Sequence, residues 1–150
     1  MSNPNMHSDP DTYGGTYWVN GGSVHSNSGV QNHWFYLLVN GGTGVNDLGN
    51  SYQVTGIGIQ KAAAIAYRNL NVYLTANSTY ADARFYALQA AQDLYGACSA
   101  EVIATANAWY AVGVGTIPNF ETKALFTASR TYACAVPAVV TFTSQSMNAN

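Results

Sequence analysis

His25 is the residue in this sequence best placed to do chemistry. It stands in Asn20-Gly21-Gly22-Ser23-Val24-His25-Ser26-Asn27-Ser28-Gly29, a glycine-rich stretch that reads as a loop leading into a helix start. Glycines let a backbone pass close to a substrate, and loops anchored on rigid helices carry a disproportionate share of catalytic groups. Imidazole donates and accepts protons under mild conditions. The chemistry expected here is therefore proton donation, or hydrogen bonding to a charge that develops during a reaction. The plainer alternative is a structural loop histidine, the commoner fate of a single histidine met out of context.

The remaining candidates are weaker. His7 lies in a polar leader and reads as solvent-facing, whereas His33 falls inside a helical pattern beside Trp34 and reads as a packing or surface residue. The three histidines share no helical turn and no HExxH motif occurs, so the chain alone makes no recognisable zinc site. Ser23, Ser26 and Ser28 flank His25 without a GxSxG elbow or a nearby aspartate. Gly41-Gly42-Thr43-Gly44 lacks the lysine of a phosphate loop. Asp9 and Asp11, in SDPDTY, are read either as a cation site or acid–base pair or, more cheaply, as an Asp-Pro turn. Cys98 and Cys134 leave a disulfide and two buried thiols equally open, and without a CxxC pair they disfavour a cysteine zinc site.

The elements that must position His25 follow from pattern. With 150 residues and 48% hydrophobic content, the chain can bury one sizeable core. Only 8% of residues are charged, against roughly 25% in ordinary soluble domains, which leaves solubility to amides and hydroxyls, a style commoner in secreted proteins. The scattered Lys61, Arg68, Arg84, Lys123 and Arg130 and a net charge of -2 offer no surface for nucleic acid. No apolar run is long enough for a membrane span, and no charged leader precedes a short apolar segment, so an export signal would lie outside this chain.

Residues 1–27 are polar but carry Tyr13, Tyr17 and Trp18, as an ordered segment packed on a neighbouring surface would. Ser28 with Gln31 forms a candidate capping box, and Val30, Trp34, Leu37 and Leu38 predict a helix over 29–39 that stops at Gly41-Gly42. Residues 42–56 have turn chemistry, with a short strand at Tyr52 and Val54. A second helix carries the stripe Ile59, Ala62, Ala66, Leu70 and Tyr73 and ends near Thr75. A third starts after Ser78 or Thr79, with Asp82 in its first turn, the stripe Ala83, Ala87, Ala90 and Leu94, and Gly96 as its stop. A fourth has Ser99 as its cap, Glu101 in its first turn and Val102, Ala106 and Trp109 facing inward before Gly113 and Gly115.

The expected fold is thus all-α, a compact bundle of four to five helices over 1–114. Residues 115–150 should be a linker and the incomplete start of a β-sandwich, with strands at 124–127 and 139–143 on either side of Pro137 and no third strand in the SQSMNAN end.

Over 1–114 the sequence resembles the C-terminal helical domain of thermolysin-like zinc metallopeptidases, the M4 family. The matching pieces, in order, are MSNP, DPDTY, NGGSVHSNSGVQN, VTGIGIQKAAAIAYRNLNVYLT, YADARFYALQAAQDLYG and SAEVIATANAWYAVGVG. The resemblance implies an endopeptidase in which a zinc-bound water attacks the scissile carbonyl, with His25 hydrogen-bonding the resulting oxyanion or donating a proton. It implies zinc, with calcium as a further candidate, both held outside this chain. The partners implied are a protein or peptide substrate and the HExxH-bearing N-terminal lobe of the same polypeptide, and the location implied is extracellular. On that footing the chain is a lobe inactive alone, with an apolar patch where its cover is missing. The tail, CAVPAVVTFTSQS, resembles the start of a PKD-type β-sandwich.

The family's usual Asp-Asn-Gly-Gly-Val-His pattern is altered here. Aligned without a gap from His25, Asn20 takes the place of the acid and Gly21 that of the substrate-binding asparagine. With a one-residue insertion, Val19 replaces the acid and Asn20 keeps the substrate-binding role. Either way the carboxylate beside His25 is absent, which supports a second expectation: a non-catalytic helical binding or scaffolding module that retains the lobe's fold.

Overall fold

In the computed structural model the described residues are 2–116, together with the backbone of four short strands between 122 and 148. The chain divides into two compact units, Met1–Pro118 and Asn119–Asn150.

The first unit is helical. A 3₁₀ turn at Pro4–His7 leads to α1 (Val24–Asn27) and α2 (Gly29–Asn40), then a hairpin of β1 (Gly42–Val45) and β2 (Ser51–Val54). α3 (Ile59–Arg68) runs into a π-helical turn at Asn69–Tyr73, followed by α4 (Tyr80–Tyr95) and α5 (Ala100–Ala111). α5 packs against α2, α4 and β2, and α3 packs between α2 and α4. Trp34 and Trp109, both essentially inaccessible, stack at the centre with ring centroids 4.6 Å apart. Around them lie Val30, Leu38, Ile65 and a set of fully buried alanines, including Ala62, Ala87, Ala90 and Ala108. A methyl side chain lets helix backbones approach closely and leaves the two indoles as the bulk that fills the centre.

Local chemistry explains most helix ends. Thr79 accepts from the Asp82 amide while Asp82 accepts from the Thr79 amide, a complete capping box that holds the Asp82 carboxyl below its usual range. Ser99 Oγ accepts from the Val102 amide at 3.3 Å. Gly96 closes α4 at φ 90°, a conformation that costs a side chain dearly. α2 ends at Asn40 with Gly41 behind it.

Four expectations are corrected. Ser28 does not cap α2: it has helical φ and ψ and makes no capping bond, because the chain is already turning through α1. The predicted stripe of the second helix holds only in part: Ala62 is buried and Ala66 and Tyr73 pack against the core, but Ile59 and Leu70 are exposed, and Ile65 and Asn69 are buried instead. The π turn accommodates Asn69, whose Nδ2 donates to the Ala83 carbonyl of α4 at 3.0 Å while its Oδ1 meets no hydrogen-bond partner among the described residues. Leu94 is likewise exposed, and Ala91 takes the inward place in α4.

The segment 42–56 is a hairpin rather than a turn with one strand, with Gly42 opposite Val54 and Val45 opposite Ser51. The Asn46 amide pins its turn to the end of α5 through the Ala111 carbonyl, 3.2 Å away. Exposed apolar side chains do occur, among them Ile59, Tyr67, Leu70, Val72 and Phe85.

In the second unit, β3 (Thr122–Lys123) pairs antiparallel with β6 (Met147–Asn148), and β4 (Phe126–Ala128) with β5 (Phe142–Ser144). The strands lie a few residues C-terminal to the expected 124–127 and 139–143, and the end of the chain contributes a strand the sequence reading did not foresee. Cys98 is exposed, and Cys134 lies outside the described residues, as do Pro137 and the proposed sandwich pattern around it.

Candidate functional site

His25 sits in a one-turn helix, not an open loop. Ser23 caps α1 by accepting from the His25 amide at 3.2 Å, and Ser28 Oγ donates to the His25 carbonyl at 2.7 Å, so both backbone ends of the histidine are held by flanking serines. The side chain is exposed, and its ring makes no hydrogen bond to any of the described residues. α1 buries nothing of its own. Its position is therefore set by bonds and rings rather than by a hydrophobic face.

The preceding stretch is folded back on α1. Gly21 has φ 69°, and the Gly22 amide donates to the Val19 carbonyl at 2.9 Å, which closes a tight turn. The Asn27 side chain clamps that turn from the other side, donating to the Val19 carbonyl at 2.8 Å and accepting from its amide at 3.4 Å. One side chain thereby mimics a strand partner for Val19. Below it, Tyr80 of α4 donates its hydroxyl to the Asn27 carbonyl at 2.9 Å, and burial raises the pKa of that phenol. Its ring meets Trp18 edge-on at 5.8 Å and Trp109 at 6.2 Å, and Tyr13 leans on Trp18 at 4.5 Å. The rings connect the His25 segment to the central indole stack.

A second anchor is steric. A Cβ on Gly29, the first residue of α2, would lie 2.5 Å from the Pro10 carbonyl oxygen. The Asp9-Pro10 segment thus crosses directly over the helix start. Asp11 accepts from the Thr12 hydroxyl at 2.7 Å.

The candidate residues are placed as follows. Asn20 does not reach His25: its Oδ1 accepts from Trp18 Nε1 at 2.8 Å, and both alignments of Asn20 are compatible with that bond. His7 is exposed, and His33 is buried and stacked on Tyr36. Among the described residues no three His, Cys, Asp or Glu side chains come together in a way that could hold a metal ion. These residues do not fit a zinc centre, and a metal's ligands would have to come from elsewhere. Sequence reading missed Asn27 and Tyr80. Asn27 was hidden in a run of polar residues, and Tyr80, 53 positions away from Asn27, had no local signal at all.

The described residues form a helical domain that presents one histidine with a clamped backbone, His25, on its surface. The model of the thermolysin metallopeptidase alpha-helical domain matches residues 1–114, and the chain belongs to that family. Relatives include a bacillolysin of Bacillus cereus, 48% identical over 118 residues that make up 76% of this chain and 20% of the relative. A thermolysin of Alicyclobacillus acidocaldarius is 44% identical over the same shares, and a bacillolysin of Brevibacillus brevis is 40% identical over 76% of this chain and 21% of its own. The chain spans about a fifth of the length of these relatives.

Proposed function

We propose that this chain is the C-terminal lobe of a secreted zinc-dependent metalloendopeptidase, forming one wall of the substrate cleft and supplying His25 as oxyanion donor. In this reading zinc, and calcium where present, are held by an HExxH-bearing lobe outside the described residues. The chain's own part is electrostatic. His25 offers a ring N–H to the carbonyl oxygen of a peptide substrate as negative charge develops there, and a fixed donor is worth most at that moment. Asn20 turns its oxygen toward Trp18, which leaves its amide hydrogens to a substrate backbone carbonyl. One observation carries the reading: His25 is exposed, with its ring uncommitted among the described residues, while its backbone is tied at both ends. Such a residue is held in place and still free to bond something else.

The test is a pair of measurements. In the complete protein, His25→Ala should lower kcat/KM about a hundredfold to a thousandfold, the usual loss for one oxyanion donor, with an unchanged melting temperature. The isolated chain with added zinc should hydrolyse no peptide. Equal losses of turnover and stability in His25→Ala would reject the assignment, and so would hydrolysis by the isolated chain that survives the substitution.

A second reading, a non-catalytic helical binding or scaffolding module, is favoured by one observation: no carboxylate among the described residues bonds the His25 ring to stabilise an imidazolium. Under that reading His25→Ala leaves the activity of the complete protein untouched.

A further inference from the structure

Away from α1, the hairpin and α5 border an open, shallow cavity of about 320 Å³, lined by Ser51, Tyr52, Gln53, Thr55, Asn107 and Tyr110. Its composition is unusual even for this weakly charged chain. Every lining residue has a polar side chain, none is charged, and none of the six side chains makes a hydrogen bond among the described residues. Tyr110 and Asn46 are linked, but through the Tyr110 backbone carbonyl.

The lining is built by regular structure. Ser51, Gln53 and Thr55 share one face of β2 and its extension while Tyr52 falls on the other with Val54, so the strand contributes from both faces, and Asn107 and Tyr110 lie one turn apart on α5. The Asn46 amide, bonded to the Ala111 carbonyl, fixes the hairpin against α5. Tyr52 is folded over Gly44, its cross-strand partner, where a Cβ would lie 2.9 Å from the phenol oxygen.

These groups select a ligand by chemistry. Two carboxamides offer donors and acceptors together, and hydroxyls do the same with a rotatable proton, which suits a molecule that is itself covered in hydroxyls. Two half-buried phenol rings offer flat apolar faces with a negative quadrupole, suited to the C–H faces of a pyranose. No cationic group is present for a phosphate or carboxylate. Asp11 lies close enough to raise the Tyr52 phenol pKa further after burial has done so, and it disfavours anions. The volume falls at the small end of ligand pockets, roughly 300–1,000 Å³, enough for one or two sugar units.

We propose that the cavity between β2 and α5 binds a neutral saccharide, whichever macromolecule carries it, and that this surface is an accessory binding site distinct in chemistry from the His25 segment. The proposal does not depend on the peptidase reading.

The experiment is a titration of the isotope-labelled full chain with cellohexaose, chitohexaose and maltohexaose, followed by backbone amide shifts. At least one should perturb residues 51–55 and 107–110 with a dissociation constant on the order of 1 mM. Gln53→Ala, at an exposed position, and Asn107→Ala should each weaken that binding about tenfold or more, with the remaining amide spectrum intact as proof of folding. No shift at these residues with any of the three sugars at 10-fold higher concentration overturns the proposal, as does binding that both variants leave unchanged. A neutral Gly/Ser/Asn tetrapeptide run in parallel provides a third rejection: equal perturbation of the same amides would assign the cavity to peptide instead.

Discussion

The α3–α4–α5 side and the His25 segment are ordered by opposite means. The first is a packing of methyl groups, with Ala62, Ala87, Ala90 and Ala108 wholly buried and few hydrogen bonds between side chains in the interior. The second buries nothing in α1 and depends on the Asn27 clamp, the two serines and the Tyr80 hydroxyl. Packing energy accrues over many atoms and fails globally, whereas a handful of hydrogen bonds in partial contact with water fails locally. The segment carrying the histidine can therefore be loosened while the rest of the domain stays folded. That separation makes the two regions testable one at a time.

The largest effect should come from the point where they meet. Trp109→Ala removes the stack with Trp34 and the edge contact with Tyr80 together, and should cost about 3–5 kcal/mol by chemical denaturation, with both regions lost in one transition. Survival of the His25 segment in that variant would show the two regions to be independent. Gly29→Ala comes next. Its methyl would press on the Pro10 carbonyl, a backbone atom with little room to yield, and about 1–3 kcal/mol should be lost. Asn27→Ala should cost about 1 kcal/mol or less overall, but should sharply accelerate amide exchange at residues 19–28 while α4 and α5 remain protected. Uniform acceleration across the domain would erase the contrast.

The smallest effect is confined to the packed side and depends on pH. Asp93 accepts from Tyr73, Gln89 and Arg68, which lower its pKa from 3.8 to about 2. A carboxyl depressed in the folded state adds stability that is complete above its unfolded value and is lost as pH falls through the folded one. Stability should therefore decline between about pH 4 and pH 2, and Asp93→Asn should flatten that part of the profile, as followed by urea midpoints. The group is exposed, so the change should be slight.

Helix ends were legible where short-range chemistry sets them: Thr79 with Asp82, Ser99, and Gly96. The inward side of the second helix was less readable because α3 passes into a π turn at Asn69–Tyr73, which changes the phase by which Leu70 would be assigned to a stripe. Asn69 was invisible for a related reason, because its burial is permitted only by a carbonyl on another helix. β1 was hidden because Gly42 and Gly44 disfavour strands in isolation, and the hairpin is stabilised instead through Asn46 and α5. In the candidate site, His25 stood out from residue type and neighbours alone. Its true setting in α1 did not, because one helical turn is too short to show a period and Ser23, Ser26 and Ser28 compete as caps. The Asn27 and Tyr80 supports depend on contacts that only the folded chain creates.

The indole stack also makes the molecule report on itself. Three tryptophans are present, and two of them, Trp34 and Trp109, are stacked with ring planes 22° apart and with indole nitrogens that meet no hydrogen-bond partner among the described residues. Trp18 is half-buried and bonded to Asn20, beside the histidine segment. The stacked pair should emit at short wavelength, resist acrylamide quenching and show coupled circular-dichroism bands. Trp18 should emit further to the red and be readily quenched. Light alone, with no label attached, should distinguish melting of the interior from opening of the surface turn.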